Sequence, residues 1–244
     1  MQWNQEAKNN YIGFLDADDK WKPDFLETIK KLIKDFPGAG AYATSYEIQK
    51  ENRVLIKPIS QNSFEKNWRG IVDDYFKHSL KTPLITASSV VIPKKVFEHL
   101  GGFPLNIKRG EDLDMWCRIA LNYDIVFVNK VCVTYFQNAE NRACEKQTSL
   151  KKSFANYADV ILTNNKQAPK SSLHFEEYMI KIIISKARYL IRDNKRRDAR
   201  KLLNKYKYTK YNKKLLIKAY ILSLIPKSIL PWAYKFYRIL KKRE

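Results

Sequence analysis

Two groups of carboxylates carry the chemistry this sequence could do: Asp16, Asp18 and Asp19 in one, Glu111 and Asp112 in the other. The first group follows an apolar run, Tyr11 to Leu15, and precedes Trp21 and Pro23. A short buried strand that delivers acids at its C-terminal end is how an open α/β sheet builds a site. Asp16 and Asp18 are two residues apart, so in an extended strand end they point the same way and could share one hard cation. Carboxylates this close repel unless positive charge lies between them, and a divalent metal carrying a diphosphate would supply it. The plain alternative is a loop rich in turn-forming Asp. A calcium loop is excluded. Asp16, Asp18 and Glu27 match its first, third and twelfth positions, but Lys20 and Trp21 stand where an oxygen ligand and Gly are needed.

Glu111 and Asp112 follow Gly110 at the start of an apolar-periodic segment. A helix dipole favours ionised carboxylates in its first turn, and an ionised carboxylate with an open approach is what a general base must be. Acids that simply begin a helix are the structural alternative. Asp114 and Arg118 are four residues apart and are expected to pair on the helix surface.

The elements that must position these acids can be read from periodicity. Phe25, Leu26, Ile29, Leu32, Ile33 and Phe36 predict a helix from Pro23 to Phe36, stopped by Pro37-Gly38. A strand is predicted over Ala39–Ile48, and Arg53–Ile59 is expected to pair back on it as a hairpin. A helix is predicted around Ile71–Phe76, a strand over Thr86–Ile92, and a short helix over Lys94–Leu100. Gly110–Leu121 reads as the carboxylate-bearing helix, with Leu113, Trp116, Cys117 and Ala120 inward. Ile125–Val128 and Val131–Tyr135 read as two short β runs. Helices are predicted at 150–162, 173–192, 196–206 and 213–225.

Charge divides the chain. Residues 1–150 carry 21 Lys/Arg and 19 Asp/Glu, whereas residues 151–244 carry 25 and 6. The first part reads as an ordinary globular domain, residues 1–145, and the second as a basic helical region, residues 146–244. Leu215–Ile225 and Ile229–Leu240 mix Leu, Ile, Trp and Tyr with Lys and Arg and suit a helix lying in the interface, with Trp232, Tyr234, Phe236 and Tyr237 as anchors, so contact with an anionic membrane surface is expected; an ordinary helical hairpin packed on the domain is the plain alternative. No signal peptide and no run of 18 apolar residues is evident. The three scattered cysteines, Cys117, Cys132 and Cys144, have no metal-type spacing and suggest a reducing compartment. The expected location is therefore cytoplasmic, peripheral at the inner face of the cell membrane.

Tyr11-Ile-Gly-Phe-Leu-Asp-Ala-Asp-Asp-Lys-Trp21 resembles the DxD segment of family 2 glycosyltransferases. Ser89-Val-Val-Ile-Pro-Lys-Lys-Val-Phe-Glu-His-Leu-Gly-Gly-Phe103 and Gly110-Glu-Asp-Leu-Asp-Met-Trp-Cys-Arg118 resemble that family's following segments, in the same order. The resemblance covers residues 5 to 136. It implies a GT-A (Rossmann-like) α/β fold. It also implies an inverting transfer of a sugar from a nucleotide-diphosphate donor to a hydroxyl of a cell-surface glycan or lipid-linked acceptor, assisted by Mg²⁺ or Mn²⁺. By position, Asp16 would lie near the donor ribose and metal, Asp18 would bind the metal, and Asp19 could assist either role. Asp112 would be the base, with Glu111 shaping the acceptor site. Trp21 and Trp116 are candidates for either the sugar site or the core. The family's usual N-terminal strands and nucleotide-base pocket would precede this segment, so the chain is expected to be the C-terminal portion of such a domain. Tyr135-Phe136-Gln137-Asn138 holds no His where many relatives carry one.

Two other readings stay open. One is a non-catalytic remnant or partner fragment of such an enzyme. The other, suggested by the basic C-terminal part, is a nucleic-acid binder, which no recognised module supports.

Overall fold

The computed structural model describes residues 7–50, 55–137, 148–165, 172–226 and 229. The predicted segment Ile229–Leu240 with its aromatic anchors, Asn138 and Cys144 lie outside these residues, apart from Ile229 itself.

The described strands form one sheet: β1 Tyr11–Gly13, β2 Lys20–Trp21, β3 Ala41–Gln49, β4 Leu55–Ile56, β5 Arg69–Ile71, β6 Val90–Pro93 and β7 Ile125–Phe136. Their order is β1-β6-β3-β7-β2, with β4 beside β3 and β5 beside β7. β3 and β7 run parallel from Ala41↔Ile125 to Gln49↔Phe136, and the other pairings are antiparallel. The expected hairpin is present, with Ile48 opposite Ile56.

Besides the strand predicted over Thr86–Ile92, which is confined to Val90–Pro93 because Ala87–Ser89 form a 3₁₀ turn closed by Thr86 N donating to Ser89 Oγ at 2.9 Å, four elements differ from expectation. First, β1 has one strand neighbour among the described residues, where a fully buried strand has two. It pairs with β6 alone among the described strands, so Ile12 is buried while Tyr11 and Leu15 are exposed. Second, the two short runs after residue 124 are one strand, β7. Asn129 and Lys130 bulge out of register against Thr44–Ser45, and Asn129 Nδ2 anchors the bulge by donating to the Phe64 and Glu65 carbonyls at 2.8 and 2.9 Å. Third, Arg69–Ile71 joins the sheet, and a short helix, α2 (Tyr75–His78), begins only after the cap Asp74, whose Oδ1 accepts from Lys77 N at 3.0 Å. Fourth, residues 150–157 form two 3₁₀ turns instead of helix. Lys108 N donates to Lys152 O at 2.8 Å and Phe154 N to Arg109 O at 2.9 Å, so these backbone groups are drawn into pairing with residues 108–109.

Helix α1 (Phe25–Asp35) buries Phe25, Ile29 and Leu32 on one face of the sheet, against Tyr42, Tyr46, Val126 and Val133. Leu26, expected on that face, is exposed, a turn position away from the stripe. The other face carries α3 (Lys94–Leu100), α4 (Glu111–Asn122), α5 (Ala158–Asn164) and α6 (Leu173–Arg192). There one continuous core runs from Phe97, Trp116 and Phe127 to Phe175, Met179 and Ile183. Phe76 and Phe175 meet at 4.9 Å between ring centroids. Gly40 permits the close approach of β3 to the end of α4, since a Cβ there would lie 2.3 Å from Tyr123 Cβ.

Two further helices, α7 (Arg196–Lys205) and α8 (Lys213–Leu224), follow α6. The turn between them hangs on the buried Glu177 of α6. Its carboxylate accepts from Thr209 Oγ1, from Lys210 N at 2.6 Å, from Tyr211 N at 3.2 Å and from Asn212 Nδ2 at 2.9 Å. No helix among the described residues is long and apolar enough to cross a membrane.

Candidate active site

The first acid group forms a tight turn after β1, closed by Asp19 N donating to Asp16 O at 2.9 Å. A buried serine holds this turn. Asp16 N donates to Ser88 Oγ at 3.1 Å, Ser88 Oγ donates to Asp19 Oδ2 at 2.6 Å, and Trp21 Nε1 donates to Ser88 O at 2.7 Å. Asp19 Oδ1 also accepts from Phe136 N at 3.2 Å. Both Asp19 oxygens are thus engaged with the protein, which makes Asp19 a strut of the loop. Asp16 and Asp18 are exposed. Ser88 was not legible as a functional residue, because a serine at the entrance of an apolar run carries no signal of its own.

The second group sits at the first turn of α4. Gly110 takes a left-handed conformation, φ 78°, which starts the helix where residues 108–109 leave their pairing with 152–154. Asp112 Oδ1 accepts from Leu113 N at 2.8 Å. Asp114 and Arg118 pair as expected, at 2.7 Å between Arg118 Nη2 and Asp114 Oδ2. Arg118 also donates to the carbonyls of Leu100, Gly101 and Gly102, at 2.7, 3.1 and 2.9 Å, and so fixes α4 to the end of α3.

An aromatic relay sets the spacing of the two groups. Phe14, two residues before Asp16, meets Phe103 edge-on at 5.7 Å, and Phe103 meets Trp116, four residues after Asp112, at 6.1 Å. Trp116 is fully buried and belongs to the core. Trp21 stacks on Phe25 at 4.3 Å and is part of the loop's support.

Electrostatics shows that the groups converge. Asp16 is raised above the usual carboxylate range by the surrounding protein, then by the like charges of Asp18 and Glu111. Asp112 keeps some open surface, yet loss of solvent, followed by the charges of Glu111 and Asp16, outweighs its backbone hydrogen bonds and pushes it up to about 6. Asp19 is likewise pushed up to about 6, chiefly by burial against the opposing hydrogen bonds from Ser88 and Phe136. Asp16, Glu111 and Asp112 therefore share one field although 95 residues of chain separate Asp16 from Glu111.

Among the described residues, no group of three or more His, Cys, Asp or Glu side chains forms a ready metal cage. The donor set still fits a hard divalent cation of the Mg²⁺ kind, which binds through one or two carboxylates and completes its shell with water and phosphate oxygens. The mutual repulsion at Asp16 is what such a cation would relieve. A cavity of about 380 Å³ lies elsewhere, between Asp73–Phe76, Tyr123–Ile125 and Ser172, beside the far end of α4, and includes none of the five carboxylates. Asp16 and Asp18 instead lie on open surface, with Glu111 and Asp112 half-buried.

The mixed sheet with helices on both faces matches a GT-A glycosyltransferase fold. The solved structure of S. aureus TarS 1-349 in complex with UDP-GlcNAc aligns with a TM-score of 0.57, covering 74% of this chain and 49% of that one at 14% identity. Residues 3–181 match the glycosyltransferase like family 2, and the chain belongs to that family. The chondroitin synthase of Pasteurella multocida (strain Pm70) is 24% identical over 173 residues, 70% of this chain and 16% of the relative. The hyaluronan synthase of Pasteurella multocida is 25% identical over 148 residues, 60% of this chain and 14% of the relative. The chondroitin synthase of Escherichia coli is 26% identical over 137 residues, 56% of this chain and 18% of the relative. The chain thus spans less than a fifth of the length of the curated relatives it matches.

Proposed function

We propose that this chain carries the metal-binding and base-bearing part of an inverting glycosyltransferase. It moves a sugar from a nucleotide-diphosphate donor to a hydroxyl of a cell-surface glycan or lipid-linked acceptor, working at the inner, anionic face of the cell membrane. The observation that carries this reading is the convergence of Asp16 with Glu111 and Asp112 in one field. The names of the matched relatives, polysaccharide synthases, and the sugar-nucleotide complex of the similar structure support the substrate class.

Asp18, with Asp16, would hold Mg²⁺ or Mn²⁺ at the donor diphosphate. The bound metal would offset the negative charge that gathers on the leaving nucleoside diphosphate. Asp19, braced by Ser88 and Phe136, keeps the loop in the shape that presents Asp16 and Asp18. Asp112 is the base. Its proton affinity, raised by burial, matches it to accept the proton of the acceptor hydroxyl near neutral pH while remaining ionised there. A base on the side of the sugar opposite the leaving group gives inversion in one displacement. Glu111, beside it at the helix start, shapes the acceptor side and sustains the raised proton affinity of Asp112.

The test is donor turnover by the purified chain with UDP-GlcNAc and other sugar nucleotides, Mn²⁺ present, and short glycan acceptors. Metal-dependent transfer lost in Asp112→Asn supports the reading. Absence of turnover and of sugar-nucleotide binding favours the second reading, a fragment that is inactive by itself.

A further inference from the structure

Helix α8 packs apolar side chains on the core and still leaves a second apolar stripe uncovered. Its fully buried positions are Ala219 and Ser223, with Asn212 just before it, and Leu216, Tyr220 and Leu222 are half-buried against the core. Ser223 O accepts from Arg200 Nη1 at 3.0 Å, which seats this face on α7. Its outward face is apolar: Ile217, Ile221 and Leu224 are 55%, 54% and 62% exposed. These three lie at i, i+4 and i+7 and so form one stripe. Lys213 and Lys214, one turn earlier, head the same face and are exposed. A contiguous apolar stripe left open on a soluble surface marks a face that something covers.

Charge decides what covers it. Residues 199–243 contain 14 Lys/Arg and no Asp or Glu. A second copy docking through this face would bring two strongly basic regions together, with no acid in residues 199–243 to pair them. Residues 227–243 of the same chain carry only basic charges and would meet the same repulsion. An anionic lipid surface satisfies both halves of the pattern, taking the isoleucine and leucine side chains into its acyl boundary and the lysines at its headgroups. Nucleic acid would satisfy the lysines alone.

We infer that the Ile217–Ile221–Leu224 stripe of α8, headed by Lys213 and Lys214, is the surface that seats this protein on an anionic membrane. The inference deepens the glycosyltransferase reading by naming the face through which the enzyme reaches a membrane-linked acceptor, and it rests on that reading for its purpose but not for its test.

The test is co-sedimentation of the full chain with phosphatidylcholine vesicles, with and without phosphatidylglycerol. The wild type is expected to pellet with the anionic vesicles and to stay largely in solution with the neutral ones. The exposed-site variant Ile217→Gln/Ile221→Gln/Leu224→Gln should lose at least about tenfold in partition, and each of Lys213→Gln and Lys214→Gln about fivefold. An unchanged melting temperature for each variant shows that the fold is intact. Wild type that ignores anionic vesicles overturns the inference. So does a triple variant that binds as wild type does, or a self-association that the triple variant abolishes without any vesicle binding. Transfer to a soluble acceptor, measured in the same preparations, is expected to be unaffected by the triple variant. Its absence in wild type would count against the glycosyltransferase reading while leaving the vesicle result to stand or fall separately.

Discussion

Ser88 Oγ donates to Asp19 Oδ2 at 2.6 Å across 69 residues of sequence, and the same oxygen accepts from Asp16 N. One hydroxyl therefore holds both ends of the turn that presents Asp16 and Asp18. Removing it leaves a half-buried carboxylate and a backbone N–H short of a partner. Ser88→Ala is expected to lower stability by roughly 1.5–3 kcal/mol, the range for hydrogen bonds to charged groups. It should also raise the donor KM more than it lowers kcat at saturating donor, since it loosens the donor loop and leaves Asp112 in place. Urea unfolding and steady-state kinetics on the same preparation check both expectations. An unchanged donor KM would show that the loop keeps its shape without Ser88.

Asp112 links function to stability with opposite signs. Its folded proton affinity is raised to about 6, so between the ordinary aspartate value and about 6 the folded chain holds a proton that the unfolded chain releases. Stability from this group is therefore lost as pH rises through that window. Asp112→Asn removes the cost and keeps an acceptor for Leu113 N. It is expected to stabilise the protein at pH 8 by roughly 1–3 kcal/mol, because each tenfold gain in proton affinity on folding corresponds to about 1.4 kcal/mol, while transfer is abolished. The wild-type rate should rise with pH through an apparent pKa near the 6 assigned to Asp112. Thermal melts at pH 4.5 and 8, compared between the two proteins, give the stability test, and a difference that fails to grow with pH contradicts it.

Glu177 carries the reverse sign. It is 2% exposed, and although burial alone would raise its pKa, the donors of Thr209, Lys210, Tyr211 and Asn212 together bring it below the ordinary value. Its contribution is thus fully present above about pH 4.3 and is lost as the pH falls through the folded pKa. Glu177→Ala strands four donors at the turn that leads into α8 and is expected to destabilise the chain by roughly 2–4 kcal/mol at neutral pH. Glu177→Gln should retain part of this. Denaturant midpoints for the two variants, at pH 7 and pH 4, provide the check.

The carboxylate groups and most long helices were legible because their signals are local. Periodicity reveals α1, α6, α7 and α8 to within a residue or two, and Gly110 with its trailing acids marks the start of α4. What escaped was set by partners distant in sequence. β1 reads as a buried strand from its apolar run, but burial depends on neighbours, and only β6 lies beside it among the described strands. Residues 150–157 read as helix until their backbone is seen paired with residues 108–109. The roles of Ser88 and Asp19 depend on a contact that spacing does not encode. Which apolar residues of α8 stay uncovered was hidden for the same reason, since leucines and isoleucines spread around most of a helix do not declare which of them the protein buries.

Donor binding and transfer, measured separately on Asp18→Ala and Asp112→Asn, test the proposed division of labour most directly. Calorimetric titration of the chain with a sugar nucleotide and Mn²⁺ should show metal-dependent binding in wild type, its loss in Asp18→Ala, and its retention in Asp112→Asn, with transfer absent from both variants. Asp18→Ala that binds donor as wild type does, or Asp112→Asn that transfers at a near-normal rate, would contradict the assignment of metal site and base.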